Sequence, residues 1–242
     1  MKPNQSTARL AGLMYLILVI TGILNLAYIP SRLIEMDDAA QTLQNIQQSE
    51  TLFRWGIVSG IISYLAFLGL VWVLYQLLHP VNKRYAQVMV VLVLCSIPLS
   101  FVNLLHKFSV LSLLSDAPFV QGLSPEELAY QVMFYLQAYR NGINISQIFW
   151  GLWLFPFGYL VYRSGFLPKL LGILLMAGCF GYLIGFFGSF LVPGYGSTVF
   201  STIVDLPSSL GEIGTCLWLL IMGTNTLSFG RSKKHATHDI VP

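Results

Sequence analysis

The sequence predicts an all-α, polytopic membrane helix bundle of six transmembrane helices, with short amphipathic helices in its outer loops. Three observations carry this. Of 242 residues, 55% are hydrophobic and only 10% charged, against about 25% charged in soluble domains, and mean hydropathy is +0.70. Apolar runs of roughly 20 residues, the length that crosses a bilayer core of about 30 Å, recur along the chain. Basic residues concentrate on alternate connections between those runs, as the positive-inside rule requires.

The first span is Leu10–Ile29. Lys2 and Arg9 precede it as in a signal peptide, but its apolar core is longer than a signal h-region and no small-x-small site follows it cleanly, so it reads as an uncleaved span. Gly56–Leu78, Ala86–Leu105, Ile143–Tyr162 and Leu170–Leu191 follow, and a sixth span starts between Leu206 and Leu210 and ends near Leu227. Residues 1–229 then form one membrane domain. Residues 230–242 (GRSKKHATHDIVP) read as a disordered cytoplasmic tail, its His235 and His238 mobile rather than metal ligands.

With the N-terminus inside, nine of the 13 Lys and Arg lie on the cytoplasmic side: Lys2, Arg9, Lys83, Arg84, Arg163, Lys169, Arg231, Lys233 and Lys234. The other side holds Arg32, Arg54, Lys107 and Arg140 with seven acids. Both termini are therefore expected in the cytoplasm, and the location in the inner (cytoplasmic) membrane, with the lipid bilayer as the obligatory partner. A net charge of +3 without a basic, aromatic-interleaved patch gives no reason to expect nucleic acid. Cys95, Cys179 and Cys216 sit in apolar runs with no CxxC, which indicates neither a disulfide framework nor a zinc site.

In the outer loops, Ala39, Leu43 and Ile46 recur at i, i+4 and i+7 within residues 37–50, the pattern of a short surface helix. Residues 124–139 open with Ser124, Pro125 and Glu127, a capping box with proline at the first helical position. That amphipathic helix is expected to end at Asn141–Gly142, before the fourth span dives. Within the spans, Pro98 and Pro156 each remove a backbone donor and are expected to kink their helices. Gly178, Gly181, Gly185 and Gly188, and the pair Gly56 and Gly60, allow close helix approach. They suit a homo-oligomer or packing within one chain; a six-span bundle needs the latter in any case.

Polar residues form three stripes. Asn103 and His106 share a face of the third span; Arg140, Asn144 and Gln147 descend the fourth; Asp205, Ser208 or Ser209, and Glu212 repeat the spacing on the sixth. Trp150 and Trp153 would form an aromatic wall beneath Gln147. Because polar groups in lipid turn inward and pair, Asn103, His106, Arg140, Asn144, Gln147, Trp150 and Glu212 are the candidate ligand-binding residues of an outward-facing polar cavity. Glu212 has two registers open. In one, Ser209 and Glu212 cap a helix that starts at Leu210; in the other, a span from Asp205 buries Glu212 about 10 Å deep.

The stretch 146–172 (SQIFWGLWLFPFGYLVYRSGFLPKLLG) resembles the central segment of an uncharacterised bacterial multi-pass membrane protein family, domain of unknown function 4386. ARLAGLMYLI, ETLFRWGIVS, Leu105–His106 with Phe108, and GEIG with LWLLIMG are similar to other parts of that family, so the resemblance runs from Arg9 to Gly223. It implies a multi-pass fold and brings no activity, cofactor or catalytic residue with it.

No HExxH, GxSxG or P-loop is present. The sequence therefore points first to binding of a small ligand or ion, as a transporter or sensor. The alternative is a structural or accessory subunit that packs with partner helices, and an intramembrane enzyme is the third reading. No catalytic residue, metal ligand or cofactor is expected.

Overall fold

The computed structural model describes residues 4–115, 117, 118 and 120–224; the expected tail lies outside them. Those residues form α1 (Gln5–Ile23), a π-helical turn (Leu24–Tyr28), α2 (Ile29–Leu33), α3 (Ala39–Gln48), α4 (Glu50–Leu78) and α5 (Lys83–Leu113). Then come α6 (Pro125–Leu152), α7 (Leu154–Ser164), α8 (Lys169–Leu191), a 3-10 turn (Tyr195–Ser197) and α9 (Val199–Ile221). No strand occurs among the described residues. Six helical stretches are long and apolar enough to cross a membrane: Gln5–Leu33, Glu50–Leu78, Lys83–Leu113, Pro125–Ser164, Lys169–Leu191 and Val199–Ile221. The chain is a multi-pass membrane protein.

Most helices outrun the spans read from hydropathy, because polar turns at their ends carry no apolar signal while still completing backbone hydrogen bonds. The connection before the fourth span departs most. Its capping box forms as expected, with Ser124 N donating to Glu127 Oε2 at 2.7 Å and Glu127 N to Ser124 Oγ at 3.2 Å. The helix it opens does not stop at Asn141–Gly142 but runs unbroken to Leu152. A glycine inside a helix costs only about 1 kcal/mol, and here Gly142 meets Asn103 so closely that a side chain would not fit.

The two prolines act differently. Pro98 lies inside an uninterrupted α5. Pro156 has no N–H for the carbonyl of Leu152, and the helix breaks there: α6 ends at Leu152, and α7 begins at Leu154. Gly165, at φ 73°, ends α7 in the left-handed region that glycine enters without a Cβ clash. Ser164 Oγ then accepts from Leu167 N at 3.2 Å, and Pro168 starts α8.

The chain forms two compact units. One comprises Met1–Leu16, Phe67–Cys95 and Gln147–Pro242; the other Ile17–Ala66 and Ser96–Ser146. In the first unit, helices cross on glycines. A Cβ on Gly158 would lie 2.6 Å from Gly172 O, one on Gly178 2.7 Å from Ser208 Cα, and one on Gly181 2.5 Å from Val204 O. Gly188 packs on the Tyr195 ring. The glycine face of the fifth span is thus filled from within the chain. At one end of this unit, Gln5 Nε2 donates to Met222 O at 2.9 Å and Gln5 Oε1 accepts from Thr224 N at 2.8 Å, closing the end of α9.

The second unit has an apolar core in which Ile29 and Leu33 of α2 meet Leu43 and Ile46 of α3, Phe53 and Ile57 of α4, Val110 of α5 and Val132 and Leu136 of α6. Helix α3 is the short amphipathic helix expected from residues 37–50. Asp38 caps it by accepting from Gln41 N at 2.8 Å.

Candidate functional site

The candidate residues divide between the units. Asn103, His106, Arg140 and Asn144 belong to the second; Gln147, Trp150 and Glu212 belong to the first. Each unit holds its own group of buried polar side chains.

In the second unit the group centres on Lys107. It lies six residues before the end of α5, a place from which lysine normally reaches back to water. Instead its side chain is buried, 3% exposed, and Nζ donates to Asn25 Oδ1 at 2.6 Å. The same Nζ sits 4.3 Å from the centre of the Tyr139 ring, a cation–π contact worth about 2 kcal/mol when desolvated. Asn25 is delivered by the π-helical turn, whose widened backbone bond runs from Ile29 N to Leu24 O; such turns recur at functional sites. Its amide orientation follows from the charge: the oxygen faces Lys107, and Nδ2 donates to Tyr139 Oη at 3.0 Å.

Two more side chains complete the group. Asn103, one helical turn before Lys107 on the same face, donates from Nδ2 to Tyr139 O at 2.9 Å. Glycines make room for both amides: Gly142 stands against Asn103, and a Cβ on Gly60 would lie 3.1 Å from Asn25 Nδ2. Tyr64 is 3% exposed, with its ring edge-on to Phe101 at 5.6 Å. Its hydroxyl lies beside Tyr139, Asn25 and Ser100 yet completes a hydrogen bond with none of them.

Among the described residues, no carboxylate balances Lys107. The acids of this unit that the structure describes, Glu35, Asp37, Asp38, Glu50, Glu126 and Glu127, are exposed or half-buried near helix ends and in turns. The ion pair among the described residues is Arg54 with Glu50, Arg54 Nη2 lying 2.6 Å from Oε1. Of the other expected residues here, Arg140 is exposed, Asn144 is half-buried, and His106 is half-buried with its ring 6.2 Å from that of Tyr135.

In the first unit the group centres on Glu212. Helix α9 starts at Val199, where Thr198 Oγ1 accepts from Ser201 N at 3.2 Å, so Glu212 stands 13 residues into it, about 20 Å along the axis. The helix ends at Ile221, which excludes the register that starts at Leu210 and makes Glu212 a cap. Ser209 Oγ instead donates to Asp205 O at 3.2 Å. Glu212 Oε2 accepts from Tyr15 Oη and Oε1 from Tyr182 Oη, each at 3.2 Å. Tyr15 is fully buried, its ring 6.4 Å from Trp153 and 6.5 Å from Phe157. Gln147 and Trp150 are half-buried in the same unit. Among the described residues, no three His, Cys, Asp or Glu side chains are grouped to hold a metal ion.

Sequence reading selected Asn103 and Glu212 but not the groups that bond them: Asn25, Tyr64, Lys107 and Tyr139 in one unit, Tyr15 and Tyr182 in the other. The available signals were an amide alone in the first apolar run, and a lysine at i+4 from Asn103. The tyrosines gave none, being ordinary residues of apolar spans.

The model of the domain of unknown function (DUF4386) matches residues 10–223, and the chain belongs to that family. A protein of Archaeoglobus fulgidus described as an uncharacterized protein is 32% identical over 88 residues, 36% of this chain and 50% of that protein. The match thus spans about half the length of that relative. No solved structure matches the chain.

Proposed function

We propose that this protein crosses the cytoplasmic membrane six times, with both termini in the cytoplasm, and binds a small ligand or ion as a transporter or sensor. The positive-inside bias supports the orientation. It directs α5 outward, so that Asn103 and Lys107 lie toward the outer side.

The observation that carries the binding role is Lys107, a cation buried in a membrane-spanning helix and bonded to a neutral amide. A charge in that setting costs at least a few kcal/mol, and ionisable groups within membranes mark ligand and ion sites by default. His106, Arg140 and Asn144 border this site in the proposal, and Glu212, with Gln147 and Trp150, forms a second binding centre. The accessory-subunit reading has less behind it, because the glycine face of α8 is occupied by α9 and the turn before it.

The test is a thermal-unfolding screen of the purified, detergent-solubilised protein against small anionic, cationic and neutral solutes. At least one class is expected to raise the midpoint saturably, and Asn103→Ala to weaken the effect. A flat response to every class, with unfolding of Lys107→Met unchanged, would reject the proposal.

A further inference from the structure

We infer that the second unit binds a small monovalent anion, a halide or the head of a small carboxylate, between Lys107 Nζ and Tyr64 Oη. The inference rests on the binding role proposed above and names the ligand's chemistry.

The count of donors and acceptors leads to it. An ammonium has three N–H donors and no acceptor, and the bond recorded for Lys107 Nζ uses one of them, to Asn25 Oδ1. Tyr64 carries an unspent O–H donor, nine-tenths buried and more, beside Asn25 and Tyr139. Ser100 Oγ donates to Ser96 O at 2.9 Å and keeps acceptor lone pairs, yet Tyr64 Oη completes no bond with it. Asn25 has spent both ends of its amide on Lys107 and Tyr139. The group therefore holds positive charge and surplus donors. Burying these without a partner costs several kcal/mol, and one small anion would relieve both deficits at once.

The same inventory argues against other classes. A cation would face an ammonium and, among the described residues, no carboxylate. A neutral amide or alcohol would satisfy a donor but leave the charge unbalanced. A doubly charged anion would need a second cation, and Arg140, the other basic side chain on the neighbouring stretch of α6, is exposed. The π-helical turn that holds Asn25 and the two glycines that seat the amides keep the donors in place.

The experiment compares chloride with three solutes of matched size: acetate, acetamide and ethylammonium. They are titrated into the protein in detergent, in sodium sulfate at constant ionic strength, with the unfolding midpoint read by tryptophan fluorescence. Chloride or acetate is expected to raise the midpoint saturably, and comparing the two separates a halide site from a carboxylate site. Lys107→Met should weaken the apparent affinity about tenfold or more, as for a charge-assisted hydrogen bond. Should that variant fail to fold, Tyr64→Phe serves alone. Its hydroxyl completes no bond within the protein, so its removal should raise the unliganded midpoint, by relieving an unsatisfied donor, and weaken anion binding about three- to tenfold. Anion stabilisation that persists unaltered in Tyr64→Phe, or none in the wild type, overturns the inference. Acetamide or ethylammonium acting through these residues, with the anions inert, overturns it while leaving the broader binding role standing.

Discussion

Lys107 and Asn25 are 82 positions apart in sequence, and 2.6 Å separates the ammonium from the amide oxygen. The pair ties the third span to the π-helical end of the first within the second unit. It is held from below by the ring of Tyr139, which also accepts from Asn103 through its backbone carbonyl.

Replacing Asn25 with leucine should therefore cost more than a lost amide. It removes the acceptor of a buried cation, so the expected destabilisation is about 1.5–3 kcal/mol, the range for hydrogen bonds to charged groups. In a Lys107→Met background the same change should cost much less, because apolar replacement of both partners removes the charge that needed solvating. Chemical denaturation of the four proteins of this double-mutant cycle measures the coupling. Equal costs in the two backgrounds would show that the amide does not serve the ammonium.

Gly142 supplies a separate check on the same cluster. A methyl group there would collide with the Asn103 side chain and force it off Tyr139 O. Gly142→Ala should lower stability by about 1–3 kcal/mol, the usual penalty of overpacking. Gly122→Ala, where nothing lies within 4 Å, is the control and should be near neutral. Comparable midpoints for both variants would mean that Asn103 has room the structure does not give it.

Much of the fold was legible because hydropathy and charge act at the scale of a whole span. Hydropathy predicts the fifth span at Leu170–Leu191, and the helix is Lys169–Leu191, bounded by Pro168 and a loop containing Pro193 and Gly194. The same signal predicts a sixth span starting between Leu206 and Leu210, yet the helix begins at Val199. Thr202, Asp205, Ser208 and Ser209 dilute its apolar signal, and Pro207 suggests an entrance where the helix simply continues. The site was less legible for a related reason. A stripe on one helix gives a face, whereas Asn25 with Lys107 and Tyr15 with Glu212 are contacts between helices distant in sequence. Tyr64 could not be singled out at all, since its importance lies in a bond its hydroxyl lacks.

At Glu212, the two tyrosines should contribute alike. Tyr15→Phe keeps a fully buried ring and removes a donor to the carboxylate, for an expected loss of about 1.5 kcal/mol. Tyr182→Phe removes the donor to the other carboxylate oxygen, for a similar expected loss. Both penalties should shrink once Glu212→Leu has removed the acceptor. If Tyr15→Phe costs the same with and without Glu212, the bond contributes nothing.

The glycines of α8 give a last prediction, about assembly. Gly178 and Gly181 sit where α8 meets α9 backbone to backbone, at Ser208 and Val204. Close contact of this kind drives helix association in lipid, where apolar burial alone supplies no preference. A valine at Gly178 would need space held by Ser208 Cα and Cβ at 2.7 and 2.8 Å, and backbone atoms cannot swing aside as a flexible side chain would. Gly178→Val should therefore push α8 from α9 and destabilise the first unit by about 1–3 kcal/mol or more. The solution mass from light scattering of the detergent-solubilised protein should not change. A variant that keeps its unfolding midpoint but loses a dimeric mass would place this face between chains, against the packing seen here.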